Sequence, residues 1–127
     1  MYQNTPFKVA YQVASTCGGT GGGKFRLGAV LVSPKGHVVS KGYNSYKTHP
    51  LLSKHTEWPY LCAETCALIR YGLDNCMDHT LYVCRCGRNG GLRMAKPCEV
   101  CQWFIKEAGI KRVYYSIDDN SYGTMEI

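Results

Sequence analysis

Two cysteine-bearing segments constrain this chain more than any other feature. Cys62-Ala63-Glu64 and Pro97-Cys98-Glu99-Val100-Cys101 each stand where a helix is predicted to begin, with a strand and a loop between them. A fold that gives these cysteines one task must bring two helix starts to one point. Zinc prefers four tetrahedral ligands and a catalytic zinc keeps one position for water, so three protein ligands are what hydrolytic chemistry requires. Cys62, Cys98 and Cys101 supply three. The i, i+3 spacing of Cys98 and Cys101 puts both sulfurs on one side of a first helical turn, where the partial positive charge of the helix N-terminus favours thiolate. Pro97 suits a helix start, because its missing N–H has no intrahelical partner there. The same cysteines continue the apolar face of Phe104, Ile105 and Ala108, which predicts a metal at the edge of the core.

The rest of the chain alternates helix and strand patterns. Phe7, Ala10, Tyr11 and Ala14 recur at the spacing of one buried helical face, and the glycines from Gly18 to Gly23 end that pattern in what is expected to be a mobile loop. That loop lacks both the P-loop ending and the spacing of a dinucleotide fingerprint. The apolar run from Phe25 to Ser33 reads as a buried strand, and Pro34-Lys35-Gly36 turns it into a hairpin with Val38 and Val39. Tyr43 to Tyr60 has no sustained period and carries Pro50 and Pro59, so it reads as a long loop of the kind that lines a site. Cys62 to Tyr71 reads as a helix ended by Gly72, Thr80 to Cys84 as a strand, Cys98 to Ala108 as a helix ended by Gly109, and Arg112 to Ile117 as a strand. The order α-β-β-α-β-α-β implies a mixed sheet of about five strands covered by helices, a three-layer α/β/α arrangement.

A length of 127 residues fits one domain, expected to span 1–127, and a composition of 45% hydrophobic and 19% charged residues is that of a globular chain. No run suggests a membrane span or an export signal, so a cytoplasmic protein that binds no membrane is expected. In that setting 8 cysteines point to metal or thiol chemistry rather than a disulfide framework. The formal charge of +6 favours anionic partners such as nucleotides or nucleic acid. Arg85, Arg88, Arg93 and Lys96 form a loose basic cluster in the sequence.

The two cysteine segments together resemble the signature of the zinc nucleoside and nucleotide deaminases, in which His or Cys, Ala and Glu are followed later by Pro-Cys-x-x-Cys. The likeness extends through Gly28-Ala29-Val30-Leu31-Val32, Gly42-Tyr43-Asn44 and Glu107 to Tyr115, and these flanks are most similar to deoxycytidylate deaminases. It implies a cytidine deaminase-like fold, a Zn2+ cofactor and hydrolytic deamination of cytosine in a deoxynucleotide, dCMP becoming dUMP and ammonia. In that chemistry zinc activates a water for attack on C4, and Glu64 serves as base and then as acid toward N3 and the leaving amine. The resemblance further implies that Asn44 orients the sugar, that the carbonyl of Lys96 receives the exocyclic amine, and that Ala63 and Tyr43 contact the substrate. Deoxycytidylate deaminases usually carry His where this chain has Cys62, and the all-cysteine set is typical of small cytidine deaminases. Three thiolates make the site one negative charge richer, and Thr65 stands where similar all-cysteine enzymes place a compensating Arg. An Arg from residues 85–93 is the expected substitute.

The same residues fit other substrates and one other class of protein. Free cytidine or deoxycytidine, a cytosine in single-stranded nucleic acid, or adenosine in transfer RNA would require nearly the same chemistry. Tyr43, Tyr46, Trp58 and Tyr60 could stack on a base or pack in the core, and His49 and His55 could touch a phosphate or simply be solvated. Short-chain relatives complete their pockets across subunits, so a homo-oligomer is expected. A different class of reading is a zinc-ribbon-like binding module, with Cys84 and Cys86 joining Cys98 and Cys101.

Overall fold

The computed structural model describes residues 4–19, 25–45 and 62–127. The expectations placed on Tyr46, His49, His55, Trp58 and Tyr60, and on most of the glycine-rich segment, lie outside these residues.

The first helix, α1 (Thr5–Thr16), starts where Asn4 Oδ1 accepts the Phe7 amide at 3.4 Å and buries Phe7, Ala10 and Ala14, the predicted stripe. Tyr11 remains partly exposed and its hydroxyl donates to the Gly90 carbonyl at 2.5 Å. Strands β1 (Arg26–Val32) and β2 (Val38–Tyr43) form the predicted antiparallel hairpin. Then follow α2 (Ala63–Tyr71), a single 3-10 turn at Leu73–Asn75, β3 (Thr80–Cys86), β4 (Leu92–Arg93), α3 (Glu99–Glu107), β5 (Arg112–Asp118) and β6 (Ser121–Glu126). The sheet runs β2-β1-β3-β5-β6, with β4 paired to the far end of β3. Its β3–β5 pair is parallel and the rest antiparallel, so the sheet is mixed, as expected.

The sheet has six strands rather than about five, and β3 runs on to Cys86. Two short or polar strands account for the difference. β4 is two residues long and exists only because its register sets Leu92 opposite Cys86. β6 lacks an apolar run; it is held by pairing with β5 across a turn in which Asp118 Oδ1 accepts from the Asn120 amide at 2.8 Å and the Ser121 hydroxyl at 2.9 Å.

Alternation along the strands separates two cores. Ala29, Leu31, Leu81, Val83 and Val113 pack with Ala63, Ala67 and Leu68 of α2 and Ile105 of α3, whereas Val30, Val32 and Cys84 pack with Phe7 and Ala10 of α1. Helices therefore cover both faces, which gives the three-layer architecture. Two glycines set how closely they approach. A Cβ on Gly28 would lie 2.3 Å from the Ala10 carbonyl oxygen, and one on Gly42 would lie 2.5 Å from that of Ala63. Gly42 thus seats the start of α2 directly on the sheet.

Topology then fixes where function can sit. Each of α2 and α3 returns through a short connection into a strand, β3 or β5, and those strands are parallel. Both helix N-termini therefore point to the same end of the sheet, at the C-terminal ends of β3 and β5. Where β3 and β5 diverge, the buried Ser116 joins three segments. Its hydroxyl accepts from the Arg85 amide at 3.1 Å and donates to the Arg93 carbonyl at 2.7 Å, while its carbonyl accepts from the Ala95 amide at 2.8 Å. This ties the approach to α3 to the end of β5.

Candidate active site

Cys62 and Cys98 are the N-cap residues of α2 and α3, both with extended backbone, and Cys101 lies in the first turn of α3. The three sulfurs lie within 4.8 Å of one another, so the two halves of the sequence pattern do converge. Cys62 and Cys101 are buried, and Cys98 is partly exposed.

The electrostatics of the cluster are those of a cation site. The Cys101 and Cys62 thiols, and then the amides of Cys101 and Val100, hold the Cys98 thiol well below its ordinary range. Its contacts with Cys62 and Cys98, together with burial, push the Cys101 thiol far up. One sulfur thus takes a negative charge readily while a neighbour resists it, because like charges at this separation oppose one another. A bound cation removes that opposition, and three soft sulfur donors suit zinc.

Glu64, in the first turn of α2, is only 3% exposed. Burial pushes its carboxyl up to about 7, and the charge of Cys98 adds to this. A carboxyl that titrates near neutrality beside a metal site is matched to moving protons in both directions. The buried Thr65 directs its hydroxyl to Cys101 Sγ at 4.0 Å. Of the arginines expected to offset the extra thiolate, Arg85 has its guanidinium 4.7 Å from the centre of the Phe25 ring, and Arg93 donates to the Leu92 carbonyl and Asn89 Oδ1 at 3.0 Å each. After the Cys101 and Cys62 thiols, the amides of Cys101 and Val100 in the first turn of α3 also favour the Cys98 thiolate, in keeping with its predicted place at a helix start.

The remaining expected contacts distribute as follows. Asn44 is 7% exposed; its side-chain oxygen accepts from the Leu27 amide at 2.8 Å and its nitrogen donates to the Phe25 carbonyl at 2.7 Å. These bonds fix the carboxamide at the end of β1. Ala63 is wholly buried against Gly42, and Lys96 is exposed, next to the anchored Ala95. Tyr43 lies on the edge strand with the Arg70 guanidinium 5.2 Å from its ring centre. The four-cysteine alternative is not formed. Cys84 lies in the core under α1, its thiol 3.6 Å from the Phe7 carbonyl, on the face opposite α2 and α3.

The sequence profile described as the cytidine and deoxycytidylate deaminase zinc-binding region matches residues 3–117. The chain belongs to this family. The family is one of zinc-dependent deaminases, and Cys62, Cys98 and Cys101 form a possible metal site of the kind that its zinc-binding region requires. Among solved structures, the cytidine deaminase of Burkholderia pseudomallei is similar with a TM-score of 0.70 and 18% identity, over 99% of this chain and 93% of that one. The dCMP deaminase of cyanophage S-TIM5 is similar with a TM-score of 0.62 and 22% identity, over 88% of this chain and 79% of that one. A second structure of the cyanophage enzyme, in complex with dCMP and dUMP, has a TM-score of 0.60 and 21% identity, over 86% of this chain and 76% of that one. No curated protein sequence matches the chain. Among the described residues, no helix is long and apolar enough to cross a membrane.

Proposed function

We propose that the protein is a zinc-dependent hydrolase that converts dCMP to dUMP and ammonia, acting as a cytoplasmic homo-oligomer of single-domain subunits that span 1–127. The observation that carries this reading is a buried carboxyl, Glu64, in the helical turn that follows Cys62, where three sulfurs lie within 4.8 Å. Cys62, Cys98 and Cys101 would hold the zinc, whose chemistry when bound is to lower the pKa of a water toward neutrality. Glu64 takes a proton from the attacking water and delivers it to N3 of cytosine. It then takes the proton of the new C4 hydroxyl and passes it to the amine, which leaves as ammonia. Burial suits Glu64 to both steps, since a carboxyl near 7 accepts and releases protons with little driving force either way. Asn44, held by the main chain of Phe25 and Leu27, orients the sugar, and the main chain of Ala63 and Lys96 meets the base.

The formal charge of +6 and the likeness to the cyanophage dCMP deaminase favour a nucleotide. The all-cysteine ligand set favours the second reading, free cytidine or deoxycytidine. Ammonia release from dCMP, deoxycytidine, cytidine and a cytosine-containing oligonucleotide, measured side by side, separates these. In the same assay Glu64→Gln should retain zinc and fold while losing at least ~10²- to 10⁴-fold in turnover, because the amide keeps size but cannot carry the proton. Wild-type rates in Glu64→Gln would refute the proton-transfer role, and absence of turnover in wild type would refute the substrate assignment.

A further inference from the structure

The β3–β4 hairpin places two arginines directly opposite one another. Arg85 and Arg93 are register partners across an antiparallel pair, an arrangement that like charges disfavour unless an anion lies between or beside them. Among the described residues the one ion pair is Arg112–Glu126, so neither hairpin arginine has a carboxylate partner. Asp119 reaches this hairpin, but one of its oxygens accepts from the Leu92 amide at 2.8 Å. Arg93 is anchored to its own hairpin through Leu92 and Asn89. Arg85 differs: its Nε is buried with no hydrogen-bond partner, and its guanidinium lies over the Phe25 ring. A guanidinium fork is the group that phosphate recognition uses.

Register also locates this group. Gly42, Ala29 and Val83 form one row across the sheet, and the start of α2 sits on Gly42. Arg85 is two residues beyond Val83 on the same face, paired with Leu27. Leu27 in turn donates its amide to Asn44. Arg85, Leu27 and Asn44 thus occupy the next row, past the N-terminus of α2 and at the end of the sheet where α2 and α3 begin at their caps, Cys62 and Cys98.

We propose that Arg85 is a specificity-determining residue that binds the 5′-phosphate monoester of the substrate, with Arg93 opposite raising the local positive field. The proposal rests on the cytosine-nucleotide reading above and extends it to the residue that selects a nucleotide over a nucleoside.

Calorimetric titration of the zinc-loaded protein with dUMP and with deoxyuridine tests this without turnover. Wild type should bind dUMP more tightly than deoxyuridine. Arg85→Ala should weaken dUMP by about 10- to 100-fold, the usual range for charge-assisted hydrogen bonds, with deoxyuridine unchanged. Arg85→Lys should fall between, since an ammonium keeps the charge but not the fork. Arg93→Ala, at an exposed position, should weaken dUMP a few-fold and less so at high salt. Equal weakening of dUMP and deoxyuridine, or no change in either, overturns the proposal. So does a loss confined to a deoxycytidine oligonucleotide, which would assign the arginine to phosphodiesters. If dUMP responds as expected and dCMP is not deaminated, the phosphate contact stands and the assigned reaction falls.

Discussion

On one face of the sheet, under α1, Cys84 is 0% exposed among Phe7, Ala10 and Val30; on the other, Cys101 is 1% exposed within 4.8 Å of Cys62 and Cys98. Burial raises both thiols, and Cys84 is pushed up to about 12 chiefly by it. What separates the two is company. Cys84 has an apolar surround, a carbonyl at 3.6 Å and Cys86 along the strand, so it behaves as a small hydrophobe. Cys101 has two further sulfurs and the carboxyl of Glu64, groups whose joint ionisation a bound cation would favour. Depth in the core does not distinguish an inert cysteine from a ligand, but the neighbours do.

The largest test of this contrast is on stability. Cys101→Ser should lose zinc and, because metal binding is coupled to folding, about 3–5 kcal/mol of stability, read by thermal denaturation with metal analysis. Cys84→Ser should keep its zinc and lose about 1–2 kcal/mol, the cost of placing a hydroxyl in an apolar site. Equal zinc loss in the two variants would erase the distinction between the faces.

A second test disturbs the metal face through packing alone. Gly42→Ala introduces a methyl 2.4 Å from the Ala67 amide and 2.5 Å from the Ala63 carbonyl oxygen, so α2 must move. Overpacking of this kind costs about 1–3 kcal/mol. Turnover should fall along with stability, because Cys62 and Glu64 ride on the same end of the helix. Unchanged turnover in a destabilised Gly42→Ala would show that the site is insensitive to the seating of α2.

The smallest expected effect is on thiol reactivity. With Cys84 near 12, about one molecule in 10⁴ carries thiolate at pH 8, and the fraction rises only as pH climbs toward 12. Mass-spectrometric mapping after brief alkylation of native protein at pH 8 should therefore leave Cys84 unmodified while the partly exposed Cys17 reacts before it. Early modification of Cys84 would mean that the α1 face opens readily.

Much of this was legible in the chain because it is written locally. The α1 stripe follows from the helical recurrence of Phe7, Ala10 and Ala14, and the start of α3 from Pro97 before Cys98. Convergence of Cys62 with Cys98 and Cys101 followed from topology, since two helices that precede parallel strands must begin at one end of a sheet. What was not legible depends on partners distant in sequence. β6 carries no apolar alternation beyond what pairing with β5 gives it, and the Arg85–Arg93 pairing exists only through the register of a hairpin whose second strand is two residues long. Ser116 shows nothing in sequence of the three-way junction that it forms.

The central claim is that zinc is held by Cys62, Cys98 and Cys101 and by no cysteine of the opposite face. The most direct measurement is zinc content together with X-ray absorption at the zinc edge, on wild type, Cys98→Ser and the Cys84→Ser/Cys86→Ser double variant purified under reducing conditions. The account predicts one zinc per chain in wild type with three sulfur neighbours at about 2.3 Å, the same in the double variant, and loss of metal in Cys98→Ser. Zinc absent from wild type, or lost from the double variant and retained by a Cys62→Ser protein, would contradict it.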